Sequence, residues 1–226
     1  MVTLLIPSKG RPEKAREALE SADGAAGNPD TEIIVAVDND DLAAYAGVIP
    51  APNLVAVNHD GSGMAGALNR AVEYAASFYE VGIIGFMGDD HRVRTEDWDR
   101  IVEQANAEMG GGIVYGNDLI HGERLPSAVF MDARIVLALG WMALPGAKHL
   151  YLDDTWRELG AAMGRLKYLP DMVIEHLHPT VGKAEWDDNY RRVNASAVYE
   201  HDAAIYNRWF AEQREADAAK ALAALR

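Results

Sequence analysis

The stretch GIIGFMGDDH, residues 82–91, decides the fold. Residues 82–87 form an apolar run that reads as a strand buried on both faces. Asp89, Asp90 and His91 follow it directly. Two ionised carboxylates at the end of such a strand repel each other unless something compensates them. A divalent cation removes that cost, and hard oxygen ligands beside an imidazole suit Mn²⁺ or Mg²⁺. Taken alone, an acidic loop of this kind also reads as a solvated turn or a helix cap.

The same grammar repeats outward from this segment. Residues 2–6 (VTLLI), 32–37 (EIIVAV), 54–57 (LVAV) and 112–115 (GIVY) are further strand runs. Helix-forming stretches alternate with them. Pro12 opens EKAREALESA, which stops at Gly24; GSGMAGALNRAVEYAASFYE (61–80) is a loop running into a helix; TEDWDRIVEQANAE (95–108) is a helix with Thr95 as N-cap. Strands separated by such helices predict an α/β fold with a mostly parallel central sheet flanked by helices. Sheets of this kind bind ligands beyond the carboxyl ends of their strands. Polar residues gather there: Pro7-Ser8-Lys9-Gly10-Arg11, then Asp38-Asn39-Asp40-Asp41, then GDDH, then His176 and His178 after the late strand in YLPDMVIEHLHP. Alternation puts His176 and His178 on one face of that strand. FMDARIVLALG (130–140) reads as strand or short helix, YLDDTWRELGAAMGRL (151–166) as a helix with acids at its start, and 187–225 as one long or broken helix. The expected organisation is an α/β domain over 1–186 and a C-terminal helical extension over 187–226 packed on it.

Of the 226 residues 49% are hydrophobic, 25% are charged and none is cysteine. The balance excludes intrinsic disorder and collagen-like fibres. The missing cysteines exclude disulfides, thiolate metal sites and cysteine nucleophiles. A net charge of −14 repels polyanions and argues against a duplex nucleic-acid binder. The apolar run before Pro7 is too short for a signal segment and no later run reaches span length, so a cytoplasmic protein without a membrane partner is expected.

Strand–PSKGRP–helix, strand–VDNDD, the GSGMAGALNRAVEYA helix and GFMGDDH, in that order, resemble the nucleotide-sugar half of GT-A fold (Rossmann-like) glycosyltransferases of the family 2 type. The likeness runs over roughly residues 2–180. It implies that the fourth-strand loop carries the family's DXD motif, whose aspartates hold the metal and contact donor sugar and ribose. The motif frame puts Gly88 and Asp90 at its two acidic positions, so the first aspartate is missing. Asp90 is then the implied metal ligand and Asp89 the residue for sugar or ribose; a D-x-H pair of Asp89 and His91 is the other frame. Pro7, Ser8 and Arg11 match the uridine-binding turn, Asp38 the acid that accepts a hydrogen bond from the nucleotide, and Gly63 and Asn69 the small residue and helix asparagine near the donor. In LDDTW, Asp154 matches the catalytic base and Asp153 its neighbour; N-cap and first-turn acid is the plainer reading. His176 first and His178 second match a further metal ligand. Lys183, Tyr190, Arg191 and Arg192 lie on a segment that closes over the diphosphate in the family.

The implied activity is a metal-dependent transfer, with Mn²⁺ or Mg²⁺, from a nucleoside diphosphate sugar, UDP favoured, to an acceptor hydroxyl. It is of hexosyltransferase type with inversion favoured. Protein, saccharide and small-molecule acceptors fit best, with modified nucleic acid also open. The alternatives are a nucleotidyltransferase, of whose phosphate loop PSKGRPEK is a poor version, and a catalytically degenerate nucleotide-sugar-binding protein.

Overall fold

The computed structural model describes residues 1–57, 63–78 and 80–226. Among them, eight strands form one sheet: β1 (Val2–Ser8), β2 (Glu32–Asp38), β3 (Leu54–Val57), β4 (Ile83–Phe86), β5 (His91–Val93), β6 (Ile113–Asn117), β7 (Val129–Asp132) and β8 (Leu166–His176). Their spatial order is β3-β2-β1-β4-β7-β6-β8-β5. The helices are α1 (Pro12–Gly24), α2 (Leu42–Tyr45), α3 (Gly63–Phe78), α4 (Trp98–Met109), α5 (Ala133–Leu139), α6 (Leu152–Met163), α7 (Asp188–Val193), α8 (Ser196–Glu212) and α9 (Arg214–Ala224). Strands β3, β2, β1 and β4 run parallel. β7 runs against both β4 and β6, while β6 and β8 are parallel and β5 runs against β8. The sheet is therefore mostly parallel, with β7 and β5 reversed.

Side-chain alternation along β1 builds a core on each face of the sheet. Leu4 and Ile6 pack with Ala15, Ala18 and Leu19 of α1 and with Trp98 and Val102 of α4. Leu5 turns to the other face, among Leu68 and Ala71 of α3 and Trp156 and Leu159 of α6. Burial on both faces explains why these strands are continuous apolar runs in sequence.

Strand β8 does most to position the site. It pairs with β6 at its start and with β5 at its end, across a register shift after Gly116. A side chain at Gly116 would sit 2.3 Å from the Met172 carbonyl oxygen, so glycine is what lets β8 cross there. The second pairing sets His176 directly opposite His91. Thr95, expected to cap α4, instead pins this crossing: its hydroxyl accepts from the Val173 amide at 2.8 Å and donates to the Asp171 carbonyl at 3.3 Å. Helix α4 starts at Trp98, after Asp97 in a left-handed conformation.

FMDARIVLALG contains both a strand and a helix, β7 and α5, joined where the Asp132 side chain accepts from the Arg134 amide at 3.0 Å. The C-terminal stretch breaks into α7, α8 and α9. Helix α9 lies against α5 and α6. Trp209 of α8 is buried edge-on to Trp141, with ring centroids 6.3 Å apart. Asp202 of α8, fully buried, accepts the amides of Lys148 at 2.9 Å and of His149 and Leu150 at 2.8 Å. Among the described residues no helix is long and apolar enough to cross a membrane. Gly61 and Ser62, in the loop expected before α3, lie outside the described residues.

Candidate active site

The carboxyl ends of β1, β2 and β4 and the end of β8 open into one cavity of about 690 Å³, within the range of small-molecule sites. Its floor is the turn between β4 and β5. There Asp90, His91 and His176 bring donor atoms within 4.8 Å of one another. Nδ1 of His91 lies 3.0 Å from Oδ1 of Asp90, and Nε2 of His176 lies 3.4 Å from Oδ2. The two imidazoles stack with centroids 4.1 Å apart. Burial alone would raise the Asp90 carboxyl, but the bonds to His176 and His91 overcome it and hold it well below the usual range. His91 is pushed down, mainly by burial and then by the charge of His176. Among the described residues, Nε2 of His91 and Nδ1 of His176 are buried with no hydrogen-bond partner, which is uncommon for buried polar atoms. One carboxylate that stays ionised beside one nitrogen of each of two imidazoles is a donor set that fits a divalent ion.

Gly88 has a steric reason. A Cβ there would lie 2.6 Å from Oδ1 of Asp90 and 3.1 Å from Nδ1 of His91. An aspartate at 88 would require the Asp90 carboxylate and the His91 ring to shift. His91 was legible as the second residue of a D-x-H frame, but its place in β5 was not. His178 is not part of the group. Its ring lines the cavity, with Nδ1 2.8 Å from the Thr180 hydroxyl.

Asp89 points the other way, into a network under β1. It is 6% exposed and accepts from the Ser8 hydroxyl at 2.6 Å and from Arg11 at 3.2 Å. Burial first, then the charge of Asp90, raises its carboxyl. Arg11 also donates to Asp187 at 2.6 Å and stacks 4.0 Å above the Tyr190 ring. Tyr190 in turn donates its hydroxyl to Oδ2 of Asp90 at 2.8 Å. Asp38, buried at the end of β2, accepts from Lys9 at 2.5 Å. Pro7, Ser8, Arg11, Asp38 and Gly63 all line the cavity. Gly63 sits at φ +69° with its α-carbon against the Lys148 carbonyl, where a Cβ would come within 2.5 Å.

The first turn of α6 also borders the cavity. Asp153 lines the cavity and Asp154 does not. Asp154 pairs outside with Arg157 at 3.1 Å. Burial, and then the neighbouring Asp154 charge, push Asp153 up to about 6. Of the two, it is Asp153, expected as the neighbour of the base, that borders the cavity, and Asp154, expected as the base, that lies outside its lining. Successive residues of a helix are turned about 100° apart, and here that turn carries Asp154 away from the cavity and onto Arg157.

Three expected residues fall elsewhere. The Asn69 side chain accepts the amides of Met142 and Ala143 at 2.9 Å and donates to the Ala143 carbonyl at 2.8 Å, so it staples α3 to that loop and does not line the cavity. Lys183 pairs with Glu175 at 2.7 Å, and Arg191 with Asp188 at 2.9 Å, both outside the lining. Arg192 and Tyr190 of the same segment do line it. Two histidines that the sequence reading passed over also line it. His149 is pushed down to about 4 by burial and is neutral; His121 is held by Asp118 at 2.9 Å. Neither follows an apolar strand run, so no local signal marked them.

A model of the family described as glycosyl transferase family 2 matches residues 3–144. The chain belongs to that family. The match spans the sheet through β7 and includes the Asp38 and Asp89–Asp90 loops. Among curated proteins none matches the chain. Among solved structures, it is similar to the mannosyltransferase PcManGT from Pyrobaculum calidifontis in complex with GDP-Man and Mn²⁺, at 17% identity and TM-score 0.61 over 99% of this chain and 73% of that one. It is also similar to S. aureus TarS 1–349, at 13% identity and TM-score 0.56 over 94% of this chain and 72% of that one. A third similar structure is 4-diphosphocytidyl-2C-methyl-D-erythritol synthase from Anaerococcus prevotii, at 9% identity and TM-score 0.53 over 91% and 96%. These likenesses carry the GT-A-like fold of this family 2 glycosyltransferase chain.

Proposed function

We propose that this protein moves a hexosyl group from a nucleoside diphosphate sugar to an acceptor hydroxyl, with inversion at the anomeric carbon. UDP is the first choice of nucleotide and GDP the second. The observation that carries the reading is a single cavity holding the Asp90–His91–His176 group at one end and Asp153 at the other. In this reading Asp90, His176 and His91 hold Mn²⁺ or Mg²⁺, which when bound neutralises charge on the departing diphosphate. Asp38 accepts a hydrogen bond from base or ribose. Ser8, Arg11 and Asp89, locked to one another, form the rigid wall against which the nucleotide lies. Arg192 is the cation of the 183–192 segment that faces the phosphates. Asp153 takes the acceptor's proton while the acceptor oxygen bonds to the anomeric carbon and the bond from that carbon to the diphosphate oxygen breaks. A carboxyl near 6 suits this work at neutral pH: it is ionised before the reaction and basic enough to accept the proton.

Calorimetry with UDP and with GDP, in Mn²⁺ and in EDTA, tests the donor half; transfer assays of Asp153→Asn and Asp154→Asn test the base. Metal-dependent binding, with transfer lost in Asp153→Asn alone, is expected. The shared fold with a diphosphocytidyl synthase keeps a nucleotidyltransferase in view, and pyrophosphate release would mark one. Binding without turnover would mark a nucleotide-sugar-binding protein.

A further inference from the structure

Helix α6, which carries Asp153, has an unusual start. N-cap residues are ordinarily extended and hold the first amides of the helix with a side-chain oxygen. The N-cap of α6 is Tyr151, at φ 61° and ψ 13°, and its side chain makes no such bond. A left-handed backbone costs a tyrosine free energy and persists only where the surroundings over-determine it. Among the described residues three non-glycine residues have positive φ, namely Asp97, Leu119 and Tyr151, and of these Tyr151 lines the cavity.

Two elements impose this conformation. From α6 itself, the fully buried Thr155 donates its amide at 3.0 Å and its hydroxyl at 2.7 Å to the Tyr151 carbonyl. From α8, the Tyr206 ring stacks on the Tyr151 ring, with centroids 5.4 Å apart and planes inclined by 20°. Tyr206 follows Asp202 by one helical turn, so the two project from the same face of α8. Asp202 gathers the amides of residues 148–150, and Tyr206 takes the ring of the next residue. Trp209 and Phe210, with ring centroids 6.2 and 6.0 Å from that of Tyr206, back it in turn. Tyr206 does not line the cavity.

We infer that Tyr206 is a positioning residue: by stacking on Tyr151 it holds the left-handed turn from which α6 starts, and so aims Asp153 into the cavity. Asp153 lies two residues past Tyr151, and the rotation of that first turn decides whether Asp153 or Asp154 meets the cavity. A Tyr151 released from the left-handed region would let the turn rotate and expose the Asp153 carboxyl to water. That Asp153 acts as the base rests on the reading given under Proposed function; that Tyr206 aims it rests on the stack and the backbone.

The test compares Tyr206→Phe, which keeps the stack, with Tyr206→Ala, which removes it. Tyr206→Leu, with bulk but no flat ring, takes the place of the alanine variant should that one not fold. The first readout needs no substrate. The ¹³Cγ resonance of Asp153, assigned by its absence in Asp153→Asn, is followed as a function of pH. In the wild type its midpoint is expected at about 6, set by burial first and the Asp154 charge second, with His121 of the loop after β6 acting in the opposite sense. Without the stack the midpoint should fall towards the ordinary aspartate value of about 4, and in Tyr206→Phe it should stay where it is in the wild type. The second readout is release of UDP from UDP-glucose and of GDP from GDP-mannose in Mn²⁺, with water as acceptor. The water oxygen bonds to the anomeric carbon, the bond from that carbon to the diphosphate oxygen breaks, and Asp153 takes the proton. Tyr206→Ala should lower kcat by up to about 10²-fold, as for a misplaced catalytic group, and leave the KM of the donor unchanged. It should cost nothing further in the Asp153→Asn background, and Tyr206→Phe should turn over as the wild type does. A Tyr206 that only packs would lower the melting temperature and move neither the midpoint nor kcat. The inference is overturned if the alanine or leucine variant keeps the wild-type midpoint, if Tyr206→Phe loses as much as Tyr206→Ala, or if Tyr206→Ala costs as much with Asp153→Asn as without it. Release by Asp153→Asn at the wild-type rate, or none by the wild type, would instead break the reading under Proposed function, and the titration would still decide the role of Tyr206.

Discussion

Two pairs of adjacent aspartates border one cavity, and within each pair the surroundings set the two members apart. In the turn after β4, Asp89 is buried and Asp90 half-buried, and they point to opposite sides: one to Ser8 and Arg11, the other to two imidazoles. In the first turn of α6, Asp153 faces the cavity and Asp154 faces Arg157 outside. Asp90 is held ionised by its partners, whereas burial lifts Asp153 to about 6. The same side chain is thus prepared for two tasks, a permanent negative charge at one end and a proton acceptor at the other. Environment, and not residue type, sets the division of labour.

The largest expected effect tests the acceptor-side pair. Asp153→Asn should lower transfer by about 10²–10⁴-fold, the usual worth of a general base, and leave nucleotide affinity unchanged. Asp154→Asn should change transfer by no more than a few-fold, since it removes only a surface ion pair. Steady-state rates with calorimetry on both variants check this, and a dead Asp154→Asn would reverse the roles. At the other end, Asp90→Asn should weaken UDP binding in Mn²⁺ by more than about a hundredfold, beyond the 10–100-fold typical of residues that only support a metal ligand. In EDTA the variant and the wild type should bind alike. Were EDTA to leave wild-type UDP affinity unchanged, the contrast between the pairs would lose its metal half.

Two smaller effects sharpen the comparison. Asp38→Ala removes a charge-assisted hydrogen bond to the nucleotide and should cost about 1.5–3 kcal/mol of UDP affinity with the melting temperature close to wild type; equal affinities would leave Asp38 without a role in nucleotide binding. The raised Asp153 carboxyl also has a signature in stability. Between about pH 4 and 6 the native state keeps a proton that the unfolded chain has released, so stability falls as pH rises through that window. Asp153→Asn lacks this loss. It should exceed the wild type by on the order of 1 kcal/mol at pH 8, discounted because the carboxyl borders the open cavity, and the gap should close below about pH 4. Urea denaturation across that range measures it. In the wild type, transfer should rise about tenfold per pH unit below about 6 and level off above.

Sequence carried the parallel half of the sheet well. There β1, β2 and β4 are doubly buried apolar runs, and each of their ends announces itself by a switch to polar residues. Ser8, Asp38 and Asp89–Asp90 were legible for that reason. The reversed half was less so. β5 has only three residues and exists through pairing with β8, some 80 positions away, so His91 read as loop. Thr95 looked like a cap because its partner strand is equally distant in sequence. Asn69 lies on a helix near the cavity, but its rotation sends it to the 142–143 backbone. The choice between Asp153 and Asp154 turns on the rotation of α6 about its axis, which the Phe86–Trp156 contact and its neighbours fix in three dimensions.

The buried carboxylate of Asp202 has a consequence for motion. It gathers three consecutive amides of the 148–150 loop onto α8, and Gly63 and Ala65 at the start of α3 rest on the Lys148 carbonyl. The wall of the cavity and a helix far along the chain therefore share one protecting group. Amide protons of Lys148, His149 and Leu150 can reach solvent only when α8 lets go, so they should exchange at one common rate with the helix, as a single cooperative unit. A slow clock for opening this side of the cavity is written into the C-terminal forty residues rather than into the loop itself.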